Sequence, residues 1–133
     1  MTTHEITILC VDDEQIILES LQMQLENYFG SRFNFEFSED PTDALTLVDE
    51  IVTNGSKMLV IVSDWLMPEM RGDELLTKIH AKYPHIVKVM LTGQADVNAV
   101  ENAKVNTNLH RCLNKPWNEQ ELIEAIESGL SRI

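Results

Sequence analysis

The chain has 133 residues, of which 44% are hydrophobic and 24% charged, a profile typical of one soluble globular domain. Ten basic residues against 22 acidic ones give a formal net charge of −12, which argues against direct nucleic-acid binding because such binding needs a basic surface. No apolar run reaches membrane-spanning length and no charged-then-apolar leader precedes Ile6, so we expect a cytoplasmic protein that does not contact a membrane.

Five short apolar runs alternate with helical patterns along the chain. The runs predict strands over residues 6–11, 33–37, 58–63, 87–91 and 109–113. A regular alternation of strand and helix favours a parallel sheet covered by helices on both faces, and near-continuous apolar strands such as ITILCV suit that position. The fifth run is more polar, so it is predicted at a sheet edge. The two cysteines, Cys10 and Cys112, lie inside these runs and are predicted to be free thiols.

The helices have ends that the sequence indicates. Asp40 is the predicted N-cap of the second helix, with Pro41 at its first position. The third helix covers about residues 72–83, and the last begins at Asn118. In the first helix four apolar residues fall at helical spacing before a C-cap glycine, Gly30: Ile17, Leu21, Leu25 and Tyr28. The fourth helix is predicted to rest on small side chains: Ala95, Ala99, Val100 and Ala103.

Polar residues follow four of the five predicted strands. Asp12 and Asp13 come directly after the first strand, and Asp64 comes directly after the third. Thr92 follows the fourth strand, and Lys115 follows the fifth. In parallel α/β sheets the ligand site lies beyond the carboxyl ends of the strands. These residues, distant in sequence, are therefore predicted to meet at one edge of the sheet.

The residue types at this edge indicate a magnesium and phosphoryl site. Each close pair of carboxylates repels by roughly 4 kcal/mol at an effective dielectric constant near 20, so three are tolerated together only around a cation. Oxygen ligands without His or Cys favour Mg²⁺. The hydroxyl of Thr92 and the ammonium of Lys115 are suited to phosphoryl oxygens. Asp64 is then a candidate nucleophile, because aspartyl phosphates are established covalent intermediates.

Four motifs in this order and spacing, VDDE, SDWLMPEMRG, LTG and NKPW, resemble the receiver domain of two-component response regulators. The resemblance covers essentially the whole chain, so residues 1–133 are expected to form a single receiver domain. It implies a flavodoxin-like, doubly wound α/β fold with five parallel strands, (βα)5, in the order 2-1-3-4-5. It also implies that the Lys115–Pro116 peptide bond is cis.

The resemblance also implies a role for each residue of the site. Asp64 would accept a phosphoryl group from a sensor histidine kinase or a phosphotransfer protein, Thr92 would hydrogen-bond that group, and Lys115 would pair with it. The domain would be a phosphoacceptor and not an enzyme in its own right. The magnesium ligands would be Asp12, Asp13, Asp64 and the backbone carbonyl of Leu66.

The sequence indicates less about how the domain passes the signal on than about the phosphoryl site. The resemblance implies that phosphorylation alters the face formed by the fourth helix, the fifth strand and the fifth helix, which would act on an unknown downstream effector or effector domain. At Cys112 the family often has an aromatic residue that moves inward, and a cysteine has no ring to move. The weakly anchored fourth helix is therefore predicted to shift as a body.

Three other interpretations are open at this stage. The chain is expected to be either a stand-alone receiver or a receiver cut from a longer effector, such as a cyclic-nucleotide enzyme or a hybrid kinase. A magnesium-dependent phosphatase with an aspartyl-phosphate intermediate is disfavoured, because those of the haloacid dehalogenase type need an acid at the position of Leu66. A nucleotide- or flavin-binding module would need a phosphate loop where the chain has VDDEQ.

Overall fold

Five parallel strands form the central sheet of the protein. The computed structural model describes residues 6–56, 58–93 and 97–131. The strands are β1 (Ile6–Val11), β2 (Asn34–Ser38), β3 (Met58–Asp64), β4 (Val87–Thr92) and β5 (Arg111–Asn114). Their order across the sheet is β2-β1-β3-β4-β5, and all neighbours pair in parallel. The predicted fold class, strand order and edge position of the fifth strand are confirmed.

Within the described residues, five α-helices cover both faces of the sheet. They are α1 (Gln15–Phe29), α2 (Pro41–Thr53), α3 (Gly72–Lys82), α4 (Val97–Thr107) and α5 (Glu119–Ser131). One hydrophobic cluster joins the sheet to α1 and α5, and a second joins its opposite face to α2, α3 and α4. Residues of β1 alternate between the two clusters, with Ile8 and Cys10 in one and Leu9 and Val11 in the other. This double burial explains the near-continuous apolar strands.

The apolar face of α1 differs from the prediction at one position. Tyr28 is 48% exposed, whereas its neighbour Phe29 is 2% exposed and belongs to the core. The phenol of Tyr28 instead donates a hydrogen bond to Glu127 of α5. Tyrosine tolerates this position because its hydroxyl reaches a polar partner at the surface. The predicted end of α1 is confirmed, since Gly30 has a φ of 61° and its N–H bonds to the carbonyl of Glu26.

The predicted bounds of four strands were slightly wrong: β3 and β4 each end one residue later than predicted, at Asp64 and Thr92. The strand predicted over 33–37 is Asn34–Ser38, and the strand predicted over 109–113 is Arg111–Asn114. A short 3₁₀ turn over Gly30–Arg32 delays the start of β2. Asn108 has a φ of 53°, and this left-handed turn after α4 delays the start of β5.

The helix starts predicted from capping residues are confirmed. The carboxylate of Asp40 accepts hydrogen bonds from the N–H groups of Thr42 and Asp43, and the Asn118 side chain accepts from two N–H groups of α5.

On α4, Ala103 is buried and Val100 is half-buried, as predicted, while Ala95 lies outside the described residues. Among the helices that the structure describes, none has the length and apolar character needed to cross a bilayer.

Candidate functional site

Three carboxylates meet at the carboxyl ends of β1 and β3. Asp12 follows β1 and is fully buried, Asp13 is exposed, and Asp64 is the last residue of β3 and 5% exposed. One oxygen from each carboxylate lies within 4.8 Å of the others. The pairing of β1 with β3 joins Val11 to Ser63, so the residues after them fall side by side. The parallel sheet therefore forms the predicted acidic pocket.

Lys115, which follows β5, reaches into this pocket. Its Nζ lies 2.9 Å from Oδ2 of Asp12 and 2.9 Å from Oδ1 of Asp64, and 3.9 Å from the Glu14 carboxylate. The Lys115–Pro116 bond is cis, as the sequence resemblance implied. The backbone N–H of Lys115 donates to the carbonyl of Thr92, which fixes the residue to the neighbouring strand end. One ammonium thus bridges two buried carboxylates.

The electrostatics of the pocket favour an additional positive charge. Burial raises the pKa of Asp12, and the charge of Asp13 adds to the rise, while the Glu14 N–H and Lys115 offset part of it. Burial also raises the pKa of Asp64, with Lys115 opposing and the two neighbouring aspartates adding to the rise. Burial alone would lower the pKa of Lys115, but its bonds to Asp12 and Asp64 raise it. A single ammonium does not fully compensate three carboxylates.

The donor set fits a magnesium ion. All three side chains offer carboxylate oxygens, and no histidine or cysteine joins the group within the described residues. Hard oxygen ligands in small number are what Mg²⁺ takes in proteins, with water and phosphate oxygens completing its shell. Leu66, whose carbonyl was predicted as a fourth ligand, follows Asp64 by two residues, and its side chain is 62% exposed. The pocket is therefore a group that could hold a metal.

The loop after β3 is held against the sheet by backbone contacts. The N–H of Trp65 donates to the carbonyl of Leu91 at 2.8 Å, and the N–H of Gly72 donates to the carbonyl of Trp65 at 2.6 Å. Met67 is 3% exposed and packs in the core between these anchors. The loop thus presents Asp64 from a fixed backbone and leaves the side chain of Leu66 facing solvent.

Thr92 is near the pocket, but its side chain has a different partner. Thr92 is the last residue of β4 and 1% exposed. Its hydroxyl lies 3.9 Å from the thiol of Cys112, a contact that the sequence reasoning missed. The sequence did indicate that the two residues could be close, because both lie near the ends of strands predicted to be neighbours. The structure therefore joins Asp12, Asp13, Asp64 and Lys115 by their side chains, and Thr92 through its backbone.

The architecture and the acidic pocket define an α/β protein with its site at the carboxyl edge of a parallel sheet. The family model described as the response regulator receiver domain matches residues 8–127, so the chain belongs to this family. Proteins of this family are signalling modules, which agrees with the prediction that the domain is not an enzyme in the usual sense. The predicted family is confirmed.

Similar proteins support the same assignment. The chain is 35% identical over 86 residues to a chemotaxis protein CheY homolog of Campylobacter jejuni, covering 61% of this chain and 63% of that protein. It is 26% identical to the hydrogenase transcriptional regulatory protein HoxA of Cupriavidus necator, covering 98% of this chain and 25% of that protein. The chain thus spans from a quarter to less than two thirds of the length of these relatives.

A solved structure shows the same fold. The signal receiver domain of an HD domain-containing protein from Pseudomonas fluorescens Pf-5 is 32% identical, with a TM-score of 0.83. The match covers 95% of this chain and 94% of that one. The similarity therefore extends over nearly all of the chain.

Proposed function

We propose that Asp64 is the phosphoacceptor of this receiver domain. The observation that carries the proposal is the position of Asp64, a buried carboxylate at the end of β3 within ion-pair distance of Lys115 and beside two further aspartates. An Asp64 oxygen attacks the phosphorus of a phosphohistidine, a new O–P bond forms, and the N–P bond breaks. The imidazole leaves with the electron pair and remains on the histidine kinase or phosphotransfer protein.

Each neighbour of Asp64 has a role in this proposal. Lys115, already 2.9 Å from the acceptor oxygen, pairs with the phosphoryl group and compensates its charge. Thr92 turns its hydroxyl from the Cys112 thiol to a phosphoryl oxygen. Bound Mg²⁺ supplies the positive charge that lets a phosphoryl group enter an acidic pocket. The residues that would hold the ion are Asp12, Asp13, Asp64 and Leu66, the last through its backbone carbonyl.

The proposed output is a change in the face formed by α4, β5 and α5, which acts on a downstream effector or effector domain. In this proposal residues 1–133 form a single receiver domain, either alone or as one module of a longer protein. The match covers only 25% of HoxA, as for one module of a longer regulator, whereas the 86 residues that match the CheY homolog make up 63% of a protein about as long as this chain. The phosphatase alternative is disfavoured because the position two residues after Asp64 is Leu66, whose side chain has no acid to offer.

Intact-mass measurement tests the acceptor residue directly. The protein is incubated with Mg²⁺ and acetyl phosphate, and one phosphoryl adduct is expected. Asp64→Asn should abolish the adduct, because an amide oxygen is a poor nucleophile and forms no stable acyl phosphate. Glu69→Gln, which removes an exposed carboxylate from the same loop, is the matched control and should keep the adduct. A full adduct on Asp64→Asn would refute the assignment.

Trp65 provides a test of the metal site. The residue adjoins Asp64, and its indole Nε1 is buried without a hydrogen bond in the part of the chain that the structure describes. Titration with MgCl₂ should therefore change the fluorescence of the protein, and Trp65→Phe should remove most of the change. Asp13→Asn should weaken the apparent affinity for Mg²⁺ by about tenfold or more. An unchanged affinity in Asp13→Asn would contradict the proposed ligand set.

A further inference from the structure

A groove of about 240 Å³ lies between α2 and α3, outside the acidic pocket. Its floor is apolar: Val48 is 1% exposed and Ile79 is 2% exposed, and the half-buried Leu45 forms one wall. The volume lies below the roughly 300 Å³ at which pockets for drug-sized ligands begin. The groove therefore suits a small apolar molecule and not a helix of a partner protein.

The polar residues around the groove give it a positive rim. Lys82 donates to Oδ1 of Asp49 at 2.8 Å, and the hydroxyl of Tyr83 donates to the same oxygen at 2.7 Å. These two donors lower the pKa of Asp49, so that carboxylate stays ionised and compensated. Lys78, one turn before Lys82 on α3, is exposed and has no ion pair or hydrogen bond among the described residues. One ammonium at the rim is therefore available to a ligand.

We propose that this groove binds a small apolar carboxylate. The apolar chain would occupy the floor over Val48 and Ile79, and its carboxylate would pair with Lys78. Charge complementarity selects this class of ligand, because Lys82 and Asp49 compensate each other and Lys78 leaves the rim with one net positive charge. A cation would meet two lysines here, and a neutral molecule would leave Lys78 without a partner. No residue of the acidic pocket lines the groove.

Octanoate is a suitable probe, and the methyl signals of Leu45, Val48 and Ile79 report on the groove. Titration of the intact domain with octanoate, followed by methyl NMR, should shift these three residues saturably. Octanol and octylammonium should bind more weakly, because neither can pair with an ammonium. Absence of saturable shifts at these methyl groups, or equal binding of octanol, would overturn the proposal.

Matched variants test the Lys78 ammonium and the apolar lining of the groove separately. Lys78→Gln should weaken octanoate binding about threefold to tenfold, since a partly exposed charged pair is lost. Lys104→Gln, which removes an exposed lysine from α4, should leave it unchanged. Leu45→Gln should weaken binding, whereas Leu47→Gln, a half-buried residue of the same helix outside the groove, should not. Equal affinity in Lys78→Gln and Lys104→Gln would also overturn the proposal.

Discussion

Gly72 shows how one residue shapes the acidic pocket. It begins α3 and stands directly against the loop that carries Asp64, with its N–H bonded to the carbonyl of Trp65. A Cβ atom at this position would lie 2.1 Å from the carbonyl oxygen of Asp64 and 2.9 Å from Cα of Trp65. Backbone atoms cannot move aside as a flexible side chain can. Glycine is therefore required for α3 to approach the acceptor residue this closely.

Gly72→Ala is expected to damage both stability and phosphorylation. The clash forces the Asp64 loop and α3 apart, which should cost about 1–3 kcal/mol of the free energy of unfolding. Urea denaturation measures this loss, and the yield of the acetyl phosphate adduct should fall with it. Gly93→Ala is the control for stability, since among the described residues no atom other than those of its chain neighbours lies within 4 Å of its added Cβ. A Gly72→Ala variant as stable as Gly93→Ala would show that the loop is not held as described.

The sequence predicted the residues of the pocket better than their side-chain contacts. Asp12 and Lys115 follow strands and Asp64 ends one, and the carboxyl ends of parallel strands share one edge, so their meeting follows from topology. The contact between Thr92 and Cys112 depends on the rotamers of two adjacent strands. Residue spacing fixes which strand ends are neighbours, but it does not fix the direction in which a hydroxyl points.

At the scale of elements, α4 carries smaller apolar side chains than its neighbours. Its residues, VNAVENAKVNT, include no leucine or isoleucine, and Val105 is 82% exposed. Ala103 is fully buried but contributes little area, whereas α5 buries Leu122 and Ile126. At about 25 cal/mol per Å² of apolar surface, small side chains stabilise a helix position weakly. Weakly anchored elements are those that move at small energetic cost.

Hydrogen exchange with and without a beryllofluoride phosphoryl mimic tests whether α4 responds to the site. Reorientation of the Thr92 hydroxyl alters the end of β4, from which the chain continues towards α4, so the change in protection should concentrate between about residues 92 and 105. The helix α2, which packs on β1 and β2 through Ala44 and Val48, serves as the internal control and should change little. Unchanged exchange over 92–105, with changes elsewhere, would contradict the predicted shift.

The elements themselves were largely predictable, and the misplacements have local causes. Caps such as Asp40 and Asn118 act through hydrogen bonds within one turn, so the sequence indicates helix starts well. Tyr28 and Phe29 are both aromatic, and helical spacing alone assigned the wrong one to the core. Which of two adjacent residues is buried depends on how α1 is rotated against the sheet, and this is set by tertiary packing.

At the scale of the whole molecule, one buried charge opposes folding. Lys88 of β4 is 1% exposed, and its Nζ donates to the backbone carbonyls of Ile86 at 2.7 Å and Pro84 at 3.4 Å. No carboxylate lies within ion-pair distance of it among the described residues. Burial lowers the pKa of Lys88 to about 8 from 10.5. The folded protein therefore binds this proton more weakly than the unfolded chain does.

The sign of the pH dependence follows from this difference. Below about pH 8 both states hold the proton, and the cost of burying the charge is fully present. Between about pH 8 and 10.5 the unfolded chain keeps a proton that the folded protein has lost, so this group makes stability rise with pH. Over this pH range the titration of Lys88 adds about 3 kcal/mol to the free energy of unfolding. Other groups, such as the buried thiol of Cys10 with its raised pKa, oppose the rise above pH 9.

Lys88→Met isolates the contribution of this lysine between pH 7 and pH 10, because His80, whose pKa is lowered by burial and by the charge of Lys88, titrates below that range. The free energy of unfolding of the wild type minus that of the variant should increase by about 2 kcal/mol between pH 7 and pH 10. Urea denaturation at several pH values measures this difference. Lys78→Met removes an exposed lysine and should give a difference that does not vary over the same range. A constant difference for Lys88→Met would mean that Lys88 holds its proton in the folded protein as firmly as in the unfolded chain.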